Sequence, residues 1–275
     1  MLEYSQQNNF STIIQSFILS ASTRSKKIVN LSPGTLYYFR IKAKNTSGES
    51  SFSVIQKNTD QRSCFAGGDG TSANPYQISR AEHLECLRDF LGNSGAGVYF
   101  KLMNDIDLAS HISNNYPIDG WLPIGNEQNP FMGNFEGDLW AITNVTINRP
   151  YQDNVGLFGV TQNANINGLA IINRAPNTTA LPIKGNNNVG MLAGKVNGGI
   201  IVGCFTFNTS MIEGINNVGG LIGNNAAEVI NACSSRSVIF GRTAGGLIGL
   251  HKSGLVINNY AQGPVFPCQA CSPSY

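Results

Sequence analysis

A chain of 275 residues with 41% hydrophobic content is long enough for one large domain or two smaller ones, each with a core. Charged residues make up only 12% and the net charge is +2, so no basic stripe points to nucleic acid and no acidic tail points to a solvated linker. No apolar run reaches the length of a membrane span, and the start MLEYSQQNNF lacks the basic and apolar regions of a signal peptide. Glycine occurs 31 times, and asparagine gathers in runs such as Asn186-Asn187-Asn188. Both tolerate left-handed backbone, so the composition predicts many short strands joined by tight turns.

In residues 31–59, Tyr37, Phe39, Ile41 and Ala43 alternate with Tyr38, Arg40, Lys42 and Lys44, predicting a strand with one buried face. NTSGES is turn chemistry, and Phe52 and Val54 mark a following strand. Leu31, Pro33, Thr35 and Tyr37, followed by Ala43, Asn45, Gly48 and Ser50, closely resemble the last strands of a fibronectin type III domain, whose tyrosine forms a corner. A sandwich of that kind needs about 90–100 residues, and its first strands and core tryptophan are missing here. The resemblance therefore implies a partial β-sandwich module over residues 1–60, cut from a longer protein.

A turn-rich segment from Cys64 to Ser79 comes next, with Asp69 as a turn residue. Ser79 and Glu82 have the spacing of a capping box ahead of Leu84, Leu87 and Leu91, predicting one short helix at about 80–91 and no other. Tyr99 to Leu108 alternates as a strand, with Asp105 and Asp107 on the face away from Phe100, Leu102, Ile106 and Leu108.

A repeat follows. NNVGGLIG (Asn216 to Gly223) returns almost unchanged as RTAGGLIG (Arg242 to Gly249). Their closing glycines align with Gly159 and Gly194, and a second landmark follows seven or eight residues later at Ile166, Ile201, Ile230 and Ile257. Two landmarks in step through variable insertions predict a solenoid of β-coils. Each coil stacks its aliphatics on the last, so Leu157, Leu192, Leu221 and Leu247 form an inward ladder, and only glycine fits the corner beside them. VGGLIG, AGGLIG, GGDGTSANPYQI, YFKLMNDIDL, GWLPIG and FMGNFEGDLWAITNVTI together resemble the GLUG-motif proteins of bacterial surfaces, found in adhesins and beside some IgA-specific metallopeptidases. Residues 136–140 read EGDLW where that family has a sequence close to D-G-N-G-H. The resemblance implies an all-β chain over residues 61–275, a right-handed parallel β-helix whose N-terminal cap spans 61–98. It implies a secreted or cell-surface, non-catalytic adhesin or scaffold that binds extracellular protein or carbohydrate.

The candidate site residues carry alternatives. Asp105 and Asp107 could hold calcium through oxygen ligands or form a solvated strand face; no other cofactor is indicated. Tyr116, Trp121, Trp140 and Tyr151 could form a carbohydrate-binding surface, or Trp121 and Trp140 could close the first coils. Parallel β-helices also include polysaccharide lyases and glycosidases, but carboxylates are sparse in the repeats, where Glu213 and Glu228 occupy different places. His83, His111 and His251 show no triad or metal spacing. A purely structural spacer is the third reading. Cys64 and Cys86 could tie the first loop to the helix by a disulfide, and Cys268 and Cys271 could form a local one, stay free or join a zinc site. Three residues beyond the second landmark lie Leu169, Cys204, Cys233 and Tyr260. Cys204 and Cys233 should stack one strand spacing apart, slightly too far for an unstrained bond, and stay reduced.

Overall fold

The structure, a computed structural model, describes residues 1–23, 26, 28, 36–58, 64–173 and 182–267. It divides into two compact units, Met1–Ser63 and Cys64–Tyr275. Leu31, Pro33, Thr35, Cys268 and Cys271 lie outside the described residues.

The first unit is an antiparallel sheet in the order Gln15–Phe17, Leu2–Ser5, Leu36–Ile41, Ser53–Asn58. Its centre is aromatic. Tyr4 packs against Phe17, Tyr37 and Phe39, with ring centroids 6.4, 6.0 and 5.8 Å away. On the opposite face Arg40 pairs with the buried Glu3 at 2.7 Å and lies 4.2 Å from the Phe52 ring. The NTSGES turn joins Lys44–Asn45 to Gly48–Glu49, as its chemistry predicts.

The second unit consists mostly of strands with few helices, and its strand ladders are parallel. One ladder joins seven strands from Tyr76–Ile78 to Leu255–Ile257. From Phe158 onward the chain visits four ladders in a fixed order. The strands Phe158–Gln162, Ala193–Asn197, Ile222–Ala226 and Ile248–His251 pair in sequence. Asn165–Asn167, Ile200–Val202, Val229–Asn231 and Leu255–Ile257 pair likewise. Next come Ala170–Asn173, Phe205–Glu213, Ser234–Gly241 and Tyr260–Gln262, and then Asn187–Gly190, Asn216–Gly219 and Ala244–Gly245. Each visit to all four is one pass.

The glycine alignment holds, with Gly159, Gly194, Gly223 and Gly249 at matched positions. The second landmark holds for three copies and slips in the fourth, because Ile230 pairs with Val256 rather than Ile257. Tyr260 accordingly pairs with Ser234, and Asn259 takes the position after Cys233. The seven-residue spacing is constant; the insertion falls beyond it.

Leu157, Leu192 and Leu221 are fully buried and Leu247 is half-buried. Burying each such side chain contributes about 1.5–3 kcal/mol. The glycines, however, are not the corner. The left-handed corner residues are Asn154, Asn188 and Asn217, with φ of 59°, 56° and 57°, a conformation asparagine tolerates better than most residues. The glycines are needed for close approach. A Cβ on Gly223 would sit 2.4 Å from the Asn188 carbonyl carbon, and one on Gly249 would sit 2.3 Å from that of Asn217. The corners are then tied by their own side chains. Asn188 donates to Asn154 and Asn217 donates to Asn188, both at 2.8 Å. Beside them Asn216 donates to Asn187 at 2.9 Å and Asn187 to Asp153 at 3.0 Å. Such amide ladders suit in-register parallel strands, which explains the asparagine runs.

Among the described residues two α-helices interrupt the strands, α1 (Ala81–Glu85) and α2 (Ala109–Asn115). The single helix expected over 80–91 is shorter, passing into a 3-10 turn at Cys86–Phe90. The capping box does not form. Arg80 is the N-cap without a side-chain bond, and the Ser79 N–H donates instead to His83 Nδ1 at 3.1 Å. The second helix was not expected, since ASHISNN carries no apolar period and buries only Ile112. Its start is fixed by Asp107, which accepts the Ala109 N–H at 2.9 Å.

Candidate functional site

Polar side chains converge at the cap, where α1, its 3-10 turn, α2 and the segment around Trp121 meet. Glu85 stands at the centre. Arg88 Nε donates to its Oε2 at 2.7 Å, the Tyr116 hydroxyl donates to Oε1 at 3.0 Å, and His111 Nε2 lies 3.1 Å from Oε1. Arg88 also donates to the carbonyls of Pro123 and Leu122 and lies 5.1 Å from the Trp121 ring. Arg149 donates to the carbonyls of Trp121 and Gly120, each at 3.1 Å.

The electrostatics follow from these contacts. Burial pushes the Glu85 carboxyl up, but the hydrogen bonds and charge of Arg88, with His111 and Tyr116, hold it below the ordinary glutamate range. Burial, reinforced by the Glu85 charge, pushes the Tyr116 phenol up. Glu85 is therefore an ionised anchor already engaged by three partners, a poor general acid near neutrality.

Beside this cluster lies a polar cavity of about 360 Å³ lined by Arg80, Glu82, Asp105, Asp107, His111 and Asn115, among others. Asp105 and Asp107 share a face as their spacing predicts, with Ile106 buried between them. One oxygen of each, Oδ1, already has structural work. Asp105 accepts the Ala141 N–H at 2.8 Å, and Asp107 accepts from the Ala109 N–H and, at 2.8 Å, Asn144 Nδ2. Through these bonds Asp107 caps the helix and Asp105 clamps the next strand; among the described residues no three His, Cys, Asp or Glu side chains gather in a way that could hold a metal.

The four candidate aromatic residues do not form one surface. Trp121 is fully buried and donates its indole N–H to the Leu157 carbonyl at 3.1 Å; it is core and presents no ring to a ligand. Tyr116 is half-buried against Glu85. Trp140 and Tyr151 remain on the surface, 40% and 61% exposed, on different segments. Trp140 closes a tight turn by donating its N–H to the Gly137 carbonyl at 2.9 Å. Cys64 and Cys86 are joined by a disulfide with Cα atoms 5.8 Å apart. Cys204 and Cys233 are free and buried, and the Cys204 N–H approaches the Cys233 sulfur at 3.4 Å. Of the two glutamates in the repeats, Glu213 pairs with Lys184 at 3.2 Å and Glu228 is exposed in a loop. Sequence reasoning missed Glu85, Arg88 and Arg149. Tyr116 lies 31 residues from Glu85 and on another element, so no local spacing announces the pair.

No family model matches the chain. A stretch of 98 residues is 45% identical to a protein of Evansella cellulosilytica provisionally named a Gly-rich membrane protein, covering 36% of this chain and 11% of that one. A stretch of 175 residues is 30% identical to halomucin of Haloquadratum walsbyi, covering 62% of this chain and 2% of that one. The chain thus spans only a small fraction of either relative. A solved structure of a Bacteroides ovatus protein provisionally named an immunoglobulin A1 protease is similar over 74% of this chain and 70% of that one, with 20% identity and a TM-score of 0.43. Among the described residues no helix is long and apolar enough to cross a membrane.

Proposed function

We propose that residues 64–267 form a right-handed parallel β-helix of the GLUG type within a secreted or cell-surface protein. It acts without catalysis, as an adhesive or scaffold module whose outer faces bind extracellular protein or carbohydrate, and the first unit is a partial fibronectin type III module carried ahead of it. The observation behind this reading is the register-matched glycine and asparagine ladder, which devotes the repeated residues to stacking and leaves the outward positions of each strand free to vary. The Cys64–Cys86 disulfide supports an oxidising compartment. The names of the two relatives, a Gly-rich membrane protein and halomucin, point the same way.

The test is a glycan array run beside a panel of immobilised extracellular-matrix proteins, with the same incubations assayed for released sugar. Discrete binding without turnover is expected. Released unsaturated or reducing sugar would make the chain an enzyme, and silence on both panels would leave a spacer; either result overturns the reading.

A further inference from the structure

The ladder formed by Phe205–Glu213, Ser234–Gly241 and Tyr260–Gln262 carries an unusual outer surface. Along these strands Thr206 and Ser235 point inward and are buried, so Phe205, Phe207, Ser234 and Arg236 face outward. Register places Phe205, Ser234 and Tyr260 in one line across three passes, and Phe207, Arg236 and Gln262 in the next. The result is a notch. Two aromatic side chains flank a serine, above a cavity of about 320 Å³ lined by these residues. Tyr260 is 62% exposed and Phe205 is half-buried.

The notch has a definite width. Strands one pass apart lie about 4.7–4.9 Å from each other, so Phe205 and Tyr260 stand roughly 9.5 Å apart. One pass apart on the same sheet, the register-matched Phe240 and Phe266 stack at 4.8 Å with planes 23° apart, so this sheet accommodates aromatic side chains face to face at matched positions. A planar ring in contact with both walls needs only about 7–8 Å, twice the carbon contact distance. A saturated six-membered ring in a chair is thicker and fills the remainder. Two aromatic walls also demand two apolar faces, a property of pyranoses whose substituents are all equatorial. The third feature is charge. Arg236 is exposed and lies 5.6 Å from the Phe207 ring, and its register neighbours, Phe207 and Gln262, offer it no carboxylate. A guanidinium beside an aromatic slot complements a carboxylate on the bound ring.

We propose that Phe205 and Tyr260 clamp one pyranose of gluco configuration, and that Arg236 selects its uronic acid form. The inference rests on the adhesive reading and names its ligand class and its place. Hydrogen bonds from the Arg236 guanidinium and the Gln262 amide hold the carboxylate and a ring hydroxyl, while the walls cover the axial C–H groups.

Titration calorimetry of the full chain with a β-1,4-linked glucuronic acid hexamer, and with cellohexaose as the neutral twin, tests this. Saturable binding of the uronate is expected, at least tenfold tighter than that of the neutral hexamer at low salt. Tyr260→Ala and Phe205→Ala should each weaken both ligands at least tenfold. Arg236→Gln should abolish the preference while keeping the neutral affinity, and the unchanged melting temperature of Tyr260→Ala should show that the stack is intact. No saturable binding of either hexamer, or binding indifferent to Tyr260→Ala, overturns the site. Array hits on other glycans or proteins would then leave the adhesive reading standing. Sugar release would sink that reading while the variants still decide whether the notch binds.

Discussion

At one register position of the second unit, Ile166, Ile201 and Ile230 are buried, whereas Val256 is 37% exposed. The side chains are nearly alike; the neighbours differ. At the other end of this ladder the matched residue is Tyr76, and the Phe65 ring covers it at 4.5 Å. That stack opens a file of aromatics running through Phe100 and Phe131 to Phe158. Phe65 is the residue after Cys64, whose disulfide ties it to the turn following α1. The cap therefore does with rings, a disulfide and a charged cluster what a neighbouring pass does with aliphatics. Burial in this unit is conferred by the next layer rather than by the residue itself.

The largest expected effect breaks the comparison directly. Ile230→Asp should unfold the second unit or lower its stability by about 3–5 kcal/mol, because it leaves an unpaired charge between two passes. Val256→Asp, next along the same ladder, should lose only about 1 kcal/mol, since its carboxylate reaches water. Equal losses in chemical denaturation would mean that the register is wrong. A smaller effect probes the cap. Glu85→Gln should destabilise by about 1–3 kcal/mol near neutral pH by weakening charge-assisted hydrogen bonds from Arg88 and Tyr116. The folded carboxyl titrates below the ordinary glutamate value of 4.5, so its contribution is complete above that value and is lost as pH falls through the folded pKa. The gap between variant and parent should therefore close in acid; a gap that persists unchanged at pH 2 would contradict the assignment.

The smallest effect runs the other way. Asp138 and Leu139 have φ of 51° and 66°, a strained pairing in the EGDLW turn, and Leu139 is 80% exposed. Left-handed backbone costs an ordinary residue about 1–2 kcal/mol. Leu139→Gly should therefore raise stability by up to about 1 kcal/mol, after the greater entropy of glycine in the unfolded chain is subtracted. A lower melting temperature would mean that the leucine contributes through packing.

The repeat was legible because stacking imposes one residue type at one position. The closing glycines align whatever the loops between them do, since Gly194, Gly223 and Gly249 press against the asparagine corners at Asn154, Asn188 and Asn217, and Gly159 against the Gly125 backbone. Counting failed where that constraint relaxed. In the last copy Leu255, Val256 and Ile257 are all exposed and all aliphatic, so nothing in the chemistry marks which one keeps the register. The helix Ala109–Asn115 escaped for a related reason: it is held by the Asp107 cap and one buried isoleucine, and its polar face carries no period. The cap cluster could not be read at all, because Glu85, His111 and Tyr116 are brought together only by the folded layers. Trp121 misleads in the sequence because a tryptophan in a polar insertion looks the same whether its indole meets a sugar or the Leu157 carbonyl.

The stacked thiols give this architecture a timetable. Contact with the Cys233 sulfur, reinforced by burial, pushes the Cys204 thiol up, and buried thiols of that kind react slowly. In an oxidising medium Cys204 and Cys233 stay unreacted as long as their passes remain closed, while Cys64 and Cys86 bond at the cap. A newly made chain must therefore close the middle of the stack faster than its cysteines find wrong partners. Afterwards the rate at which an added reagent labels Cys204 measures how often two neighbouring passes part.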